Sequence, residues 1–238
     1  MAQIFRPSTN TLAKISLAVA AVAPLGLIML GSAVSRSSYA TKVDVPLDQP
    51  VPFSHQHHVN ELGIDCRYCH QSVEKSAWAN VPPTHTCMSC HSQIWTNSPL
   101  LEPVRESYRT GEPIRWNKVN GVPHFVYFDH SIHIKRGVSC NVCHGPIQAM
   151  QITYKANPFW MKWCLDCHRE PEKYVRKESV FDLYYKEQTG QPVTAEERAL
   201  LDGKEYRRTP AELAEGRRLV KQYGINTKQL TDCWICHR

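Results

Sequence analysis

Residues 53–70 read FSHQHHVNELGIDCRYCH, and the last five letters set the character of the whole chain. The pentapeptide CRYCH at 66–70 returns as CMSCH at 87–91, CNVCH at 140–144, CLDCH at 164–168 and CWICH at 233–237. All 10 cysteines of the 238-residue sequence are used, two per copy: Cys66 and Cys69, Cys87 and Cys90, Cys140 and Cys143, Cys164 and Cys167, Cys233 and Cys236. Two thiols at this spacing can add across the two vinyl groups of one porphyrin, and an imidazole directly after the second can bind its iron. His70, His91, His144, His168 and His237 are therefore the expected proximal ligands, and five covalently bound haem c groups are the expected cofactors.

Cysteine pairs at this spacing also build zinc sites and redox dithiols. Zinc held by four thiolates takes two pairs per ion, so five pairs strand one, and nothing in such a site requires a histidine after every pair. A disulfide scaffold has no use for that histidine either.

Composition agrees with an interior filled by cofactor. Mean hydropathy is −0.42, and Phe, Ile and Leu are sparse beyond the first forty residues. A flat porphyrin can replace side-chain core at about 25 cal/mol per Å² buried. The expected fold class is a multihaem cytochrome c, mostly irregular with short α-helices packed around five covalent haems, plus one N-terminal transmembrane helix. Without haem the part beyond that helix is not expected to fold. The formal charge of +6 would ordinarily raise nucleic acid or an anionic membrane as partner. Each haem brings two propionates, which offset that charge, and no nucleic-acid partner is expected.

Residues 15–34 form an apolar run long enough to cross a bilayer core of roughly 30 Å. Arg6 and Lys14 precede it, which puts the N-terminus in the cytoplasm and the rest outside, although Arg36 and Lys42 weaken the asymmetry. Residues 1–40 are read as an uncleaved anchor. The alternative is a cleaved signal ending at Ser38-Tyr39-Ala40, with Thr41 as the new N-terminus.

The opening stretch has a second copy: FDHSIHIKRGVSCNVCH at 128–144. Both carry Phe-x-His-x-x-His, a glycine with a β-branched neighbour and then a haem motif, and each is followed by a further motif. Residues 41–170 thus read as a tetrahaem body of two repeated dihaem modules, 53–91 and 128–168. His55, His58, His130 and His133 are the expected distal ligands. Residues three apart share a face of a helix, so one pair can serve two neighbouring irons. Four distal and five proximal histidines fill nine of ten axial positions. For the tenth, His57, His85 and His124 are open, as are Met150 and Met161, because a thioether is a known axial ligand. Met88 is trapped inside its own motif. Methionine is preferred, Met150 slightly ahead of Met161.

Residues 92–127 hold Trp95, Pro99, Pro103, Pro113, Trp116 and Pro123 and read as an extended connection. Residues 171–238 read as a charged helical arm carrying the fifth haem. Thr194 with Glu197, and Thr209 with Pro210 and Glu212, are capping-box signals, with Gly203 and Gly224 as stops. Leu183, Tyr184, Tyr185, Leu200, Leu201, Leu219 and Tyr223 give this arm apolar surface for docking on the haem body or on a partner.

The order FSHxxH, IDCRYCH, VPPTHTCMSCHSQIW, FVYFDHSIH, GVSCNVCHGPI, MKWCLDCHR and a terminal CxxCHR over residues 50–238 resembles the pentahaem membrane-anchored cytochrome c subunit of alternative complex III. Shorter fragments resemble the multihaem subunits of menaquinone reductase complexes. The resemblance implies an electron-relay subunit of a membrane quinol:cytochrome c oxidoreductase, or one serving another periplasmic acceptor, with no catalytic residue or substrate site of its own. It implies iron-sulfur and quinol-binding subunits and a monohaem cytochrome c as partners. It also implies a single-pass position in the inner membrane with the haem domain on the periplasmic side. Two alternatives stand beside it: a multihaem reductase with one open haem, and a quinol dehydrogenase cytochrome feeding a periplasmic reductase.

Overall fold

The computed structural model describes Arg6 and residues 8–237; residues 1–5 and 7, at the head of the expected anchor, and Arg238 lie outside the described residues. The chain divides into two compact units, with the boundary between Val43 and Asp44. In the first, helix α1 (Ser8–Arg36) runs 29 residues with no buried side chain and a mean hydropathy of 2.2 in its most apolar window. At 1.5 Å per residue it is about 43 Å long, more than the hydrocarbon core requires. Pro24 lies inside it. A single turn, α2 (Ser38–Thr41), follows and ends on Lys42 in the left-handed region.

The second unit has no strand among the described residues, only an isolated antiparallel bridge between Pro46 and Tyr154. Its helices are short: α3 (Cys66–Cys69), α4 (Thr84–His91), α5 (Glu102–Thr110), α6 (His130–Lys135), α7 (Cys140–His144), α8 (Met161–Arg169), α9 (Asp182–Gln188), α10 (Ala195–Leu201), α11 (Pro210–Gln222) and α12 (Cys233–Cys236). Five of these, α3, α4, α7, α8 and α12, lie on the five Cys-x-x-Cys-His motifs. Asp65 caps α3 by accepting from the Arg67 amide at 2.7 Å, and Ser139 caps α7 through the Asn141 amide. Each cap satisfies an amide that a helix start leaves free.

The connection at 92–127 differs from the extended reading. It contains α5, entered through a 3-10 turn at Pro99–Leu101. Proline in the first helical turn costs nothing there, because its missing N–H would have no partner. Arg105 pairs with Glu102 and Arg109 with Glu106 one turn apart, while Val104 packs with Val51 and Leu101. The prolines start this helix instead of preventing it.

In the arm, both capping boxes form: Thr194 with Glu197 opens α10, and Thr209 with Glu212 opens α11. Gly203 and Gly224 follow the helix ends at φ 67° and 62°, a conformation glycine adopts without strain. Leu183, Tyr184 and Leu201 bury together against Cys66. The Tyr184 hydroxyl donates to Asn141 Oδ1, Asn141 Nδ2 to Gln148 Oε1 at 2.8 Å, and Gln148 Nε2 to the Leu201 carbonyl at 2.9 Å. This buried chain of amides ties the arm to the third motif. Arg208, almost fully buried, bonds Glu196 at 2.6 Å and the Glu172 carbonyl at 2.6 Å.

Only thirteen apolar side chains are buried among the described residues, in small clusters, too few for an ordinary core of this length. Large apolar side chains instead stand open beside the motifs: Ile94 and Trp95 after the second, and Phe125, Tyr127 and Trp234 around the fifth.

Candidate haem sites

Each module is organised by one phenylalanine. Phe53 stacks on His58 with ring centroids 4.5 Å apart and meets His55 edge-on at 5.0 Å. Phe128 repeats this with His133 at 4.5 Å and His130 at 4.8 Å. The backbones differ. His130 and His133 lie on α6, whereas His58 lies on a π-helix (Gln56–Glu61) that His55 precedes. The wider π turn belongs to the copy with one more residue before its motif, a common use of such turns at functional sites.

The structure brings the expected distal rings against the expected proximal ones. His130 lies 6.4 Å from His144, His133 lies 6.2 Å from His168, and His58 lies 6.2 Å from His91, centroid to centroid. A metal–imidazole bond is about 2.0–2.1 Å, which puts two rings on opposite sides of one ion roughly 6 Å apart between centroids. His55 lies near His70: burial pushes its pKa down to about 4, with like-charge contributions from His70, then His58 and His144. Burial also takes His144 down to about 4, followed by repulsion from His130 and His70. These rings are neutral at neutral pH, the form that ligates metal.

Seven of the other rings have their tautomers fixed by backbone carbonyls. Nδ1 of His70 meets the Asn80 carbonyl at 2.6 Å, His91 that of Ile94 at 3.2 Å, His168 that of Leu230 at 2.8 Å and His237 that of Phe125 at 3.0 Å. On the distal side, His58 reaches Ser54 O at 2.8 Å, His133 reaches Asp129 O at 2.7 Å and His130 reaches Ala77 O at 2.7 Å. A carbonyl only accepts, so each Nδ1 carries the proton and each Nε2 keeps its lone pair for iron. His55 differs, with Nδ1 3.1 Å from Thr153 Oγ1. Asn80 holds its carbonyl in place from a φ of 70°, a left-handed conformation of the kind that collects at functional sites.

The ten cysteines stand in half-buried or exposed positions. Burial pushes Cys66 up to about 12 and Cys167 to about 11. Among the described residues no group of three or more His, Cys, Asp or Glu side chains converges as a zinc site would need. Paired imidazoles with prepared Nε2 atoms, thiol pairs beside them and uncovered apolar side chains nearby all fit haem.

The fifth motif has no such ring pair with a second histidine among the described residues; His237 stacks on Phe125 at 5.8 Å. Met150 is 2% exposed and packs beside Gly145, after the third motif. Met161 is 66% exposed, one turn ahead of Cys164 on α8. Burial raises the Cys164 thiol first and Cys236 of the fifth motif next. The two methionines thus sit beside different motifs. His57 bonds Glu61 at 2.9 Å, and His85 and His124 are exposed.

Several residues escaped the sequence reading. Thr153 and the carbonyls of Ala77, Asn80, Phe125 and Leu230 carry no side-chain signature of their role. Phe53 and Phe128 could have been found, since the repeat contains both.

Residues 126–238 match the family described as cytochrome c7 and related cytochrome c. This part of the chain is similar to the cytochrome c7-like multihaem cytochromes. Over 98 residues the chain is also 36% identical to the menaquinone reductase multiheme cytochrome c subunit of Nitratidesulfovibrio vulgaris, covering 41% of this chain and 46% of that protein. The chain thus spans about half the length of the curated relative it matches. Covalent haem c is the cofactor of this cytochrome family, and the motifs at 140–144, 164–168 and 233–237 all fall inside the matched cytochrome domain.

Proposed function

We propose that this chain is the electron-relay subunit of a membrane quinol:acceptor oxidoreductase complex of the alternative complex III type, holding five haem c groups. The observation that carries the reading is the set of imidazole pairs 6.2–6.4 Å apart, each joining a distal histidine to a Cys-x-x-Cys-His motif. His55 with His70, His58 with His91, His130 with His144 and His133 with His168 would each hold one iron, and His237 would hold the fifth. The tenth axial position would fall to a methionine, either Met150, buried beside the third motif, or Met161, exposed on the helix of the fourth.

A haem iron with two axial ligands supplies one-electron chemistry without an open position for substrate. The protein's own work is to fix ring tautomers through Nδ1, to lower the pKa of His55, His58, His133 and His144 by burial and to stack Phe53 and Phe128 against the rings. Quinol is oxidised to quinone at a neighbouring subunit, which releases two protons there, and the two electrons cross this chain singly to a periplasmic one-electron acceptor such as a monohaem cytochrome c. Helix α1 anchors the chain with its N-terminus in the cytoplasm. The name of the relative favours a second direction, in which electrons run through the same relay towards menaquinone.

Oxidised holoprotein, purified with its complex, tests this. Five haems by intact mass, an all-low-spin spectrum, and co-purifying iron-sulfur and quinol-binding subunits are expected. A high-spin haem that binds cyanide or nitrite readily moves the function to a multihaem reductase. A lone periplasmic reductase as partner moves it to a quinol dehydrogenase cytochrome.

A further inference from the structure

The motifs do not touch one another in the order in which they occur along the chain. First and second are joined by the Tyr68 hydroxyl and Ser89 Oγ at 2.8 Å, and by His55 and His58 on either side of Phe53. First and third share one apolar cluster, where Cys66 and Cys140 both pack on Val73, Val180 and Phe181. Ala77, just after the first motif, also accepts from His130, the ring paired with His144 of the third. Third and fourth are bridged by an aromatic row, His144 to Phe159 at 6.2 Å and Phe159 to Trp163 at 5.3 Å, and by His130 and His133 against Phe128. Fourth and fifth meet where His168 Nδ1 bonds the carbonyl of Leu230, three residues before Cys233. Among the described residues no hydrogen bond, ring contact or shared apolar cluster joins residues 87–91 to the third, fourth or fifth motif.

Cys90 and Cys233, in the second and fifth motifs, are the two exposed cysteines, while the other eight are half-buried.

We infer that the five haem sites stand in space in the order second, first, third, fourth, fifth, so that the relay has its two ends at residues 87–91 and 233–237. The inference rests on the five-site reading above. A reduced partner, such as the quinol-oxidising side of a complex, gives up one electron at one end, and an oxidised metalloprotein gains one electron at the other. No bond or proton changes on this chain. The third site, at the centre of the row, joins the duplicated halves, and neither half reaches from one end to the other alone.

Anomalous diffraction at the iron edge, from crystals of the holoprotein with haem load checked by intact mass, reads the order directly. Five peaks in one row are expected, with the peak beside His91 at one end and that beside His237 at the other. Five peaks with the second site neighbouring the third, fourth or fifth overturn this order and leave the five-site reading intact. Fewer than five peaks overturn that reading and the order with it. In C87A/C90A holoprotein, loss of an end peak is expected and loss of an interior peak overturns the proposal; the unaltered protein decides the question if that variant does not fold.

Discussion

The imidazole rings of His130 and His144 lie parallel to within 4°, with centroids 6.4 Å apart, although 14 residues separate them in the chain. One ring opens α6 and the other closes α7, and the Ala77 carbonyl holds the first in place from the opposite module. A pair so prepared is expected to bind one iron from both sides.

His130→Ala removes one ring of that pair. One haem of the set is expected to turn high-spin and to bind cyanide, with the remaining haems low-spin. His57→Ala is the comparison, since His57 is occupied with Glu61 and Trp95, and its spectrum should match the parent. Optical and paramagnetic resonance spectra of the oxidised holoproteins read both.

The ring planes differ among the pairs: 4° for His130 and His144, 23° for His133 and His168, and 66° for His58 and His91. Near-parallel axial imidazoles give rhombic low-spin signals, and strongly crossed ones give a highly anisotropic signal with a large maximal g value. One haem of the crossed kind is therefore expected from the second motif. Phe53→Ala frees the His58 ring and should alter that signal while leaving the near-parallel signals in place. Loss of a rhombic signal instead would show that Phe53 acts elsewhere.

Gly216 lies where α11 crosses the turn at Pro171–Lys173, and a Cβ there would come within 2.0 Å of the Glu172 carbonyl oxygen. Backbone cannot swing aside as a side chain does. Gly216→Ala is expected to cost at least about 1–3 kcal/mol, the usual range for overpacking. Denaturant unfolding of the holoprotein, with protease sensitivity of the arm, measures it.

The α10 cap carries a pH dependence. Burial pushes Glu197 up, but Lys186 at 2.8 Å and the Thr194 amide at 2.7 Å outweigh it and hold the carboxyl below its ordinary 4.5. A carboxyl lowered by folding contributes stability above the unfolded value, and that contribution is lost as pH falls through the lower folded one. Amide protection, corrected for intrinsic exchange, should therefore fall across α9 and α10 on acidification below 4.5. Glu197→Gln should flatten this dependence and, because glutamine still closes the capping box, cost at most about 1 kcal/mol at neutral pH through the lost pairing with Lys186.

The sequence by itself determined what depends on neighbours along the chain. Covalent haem attachment needs two thiols and an imidazole within five residues, and all five copies were plain. Helix starts depend on residues three apart, so both capping boxes in the arm were legible, as was the repeated Phe-x-His-x-x-His that carries the candidate distal histidines. The helix at Glu102–Thr110 was hidden because its prolines suggested an extended connection, while the burial of Val104 that secures it comes from Val51, far away in sequence. Only the tertiary structure decided which ring faces which motif, which carbonyl orients it, that Met150 and Met161 lie beside different motifs, and how the motifs neighbour one another. Many of those contacts join segments far apart in sequence, 14 residues between His130 and His144, 98 between His55 and Thr153 and 112 between His237 and Phe125. They are set by packing and by backbone carbonyls, which every residue carries and no sequence pattern marks.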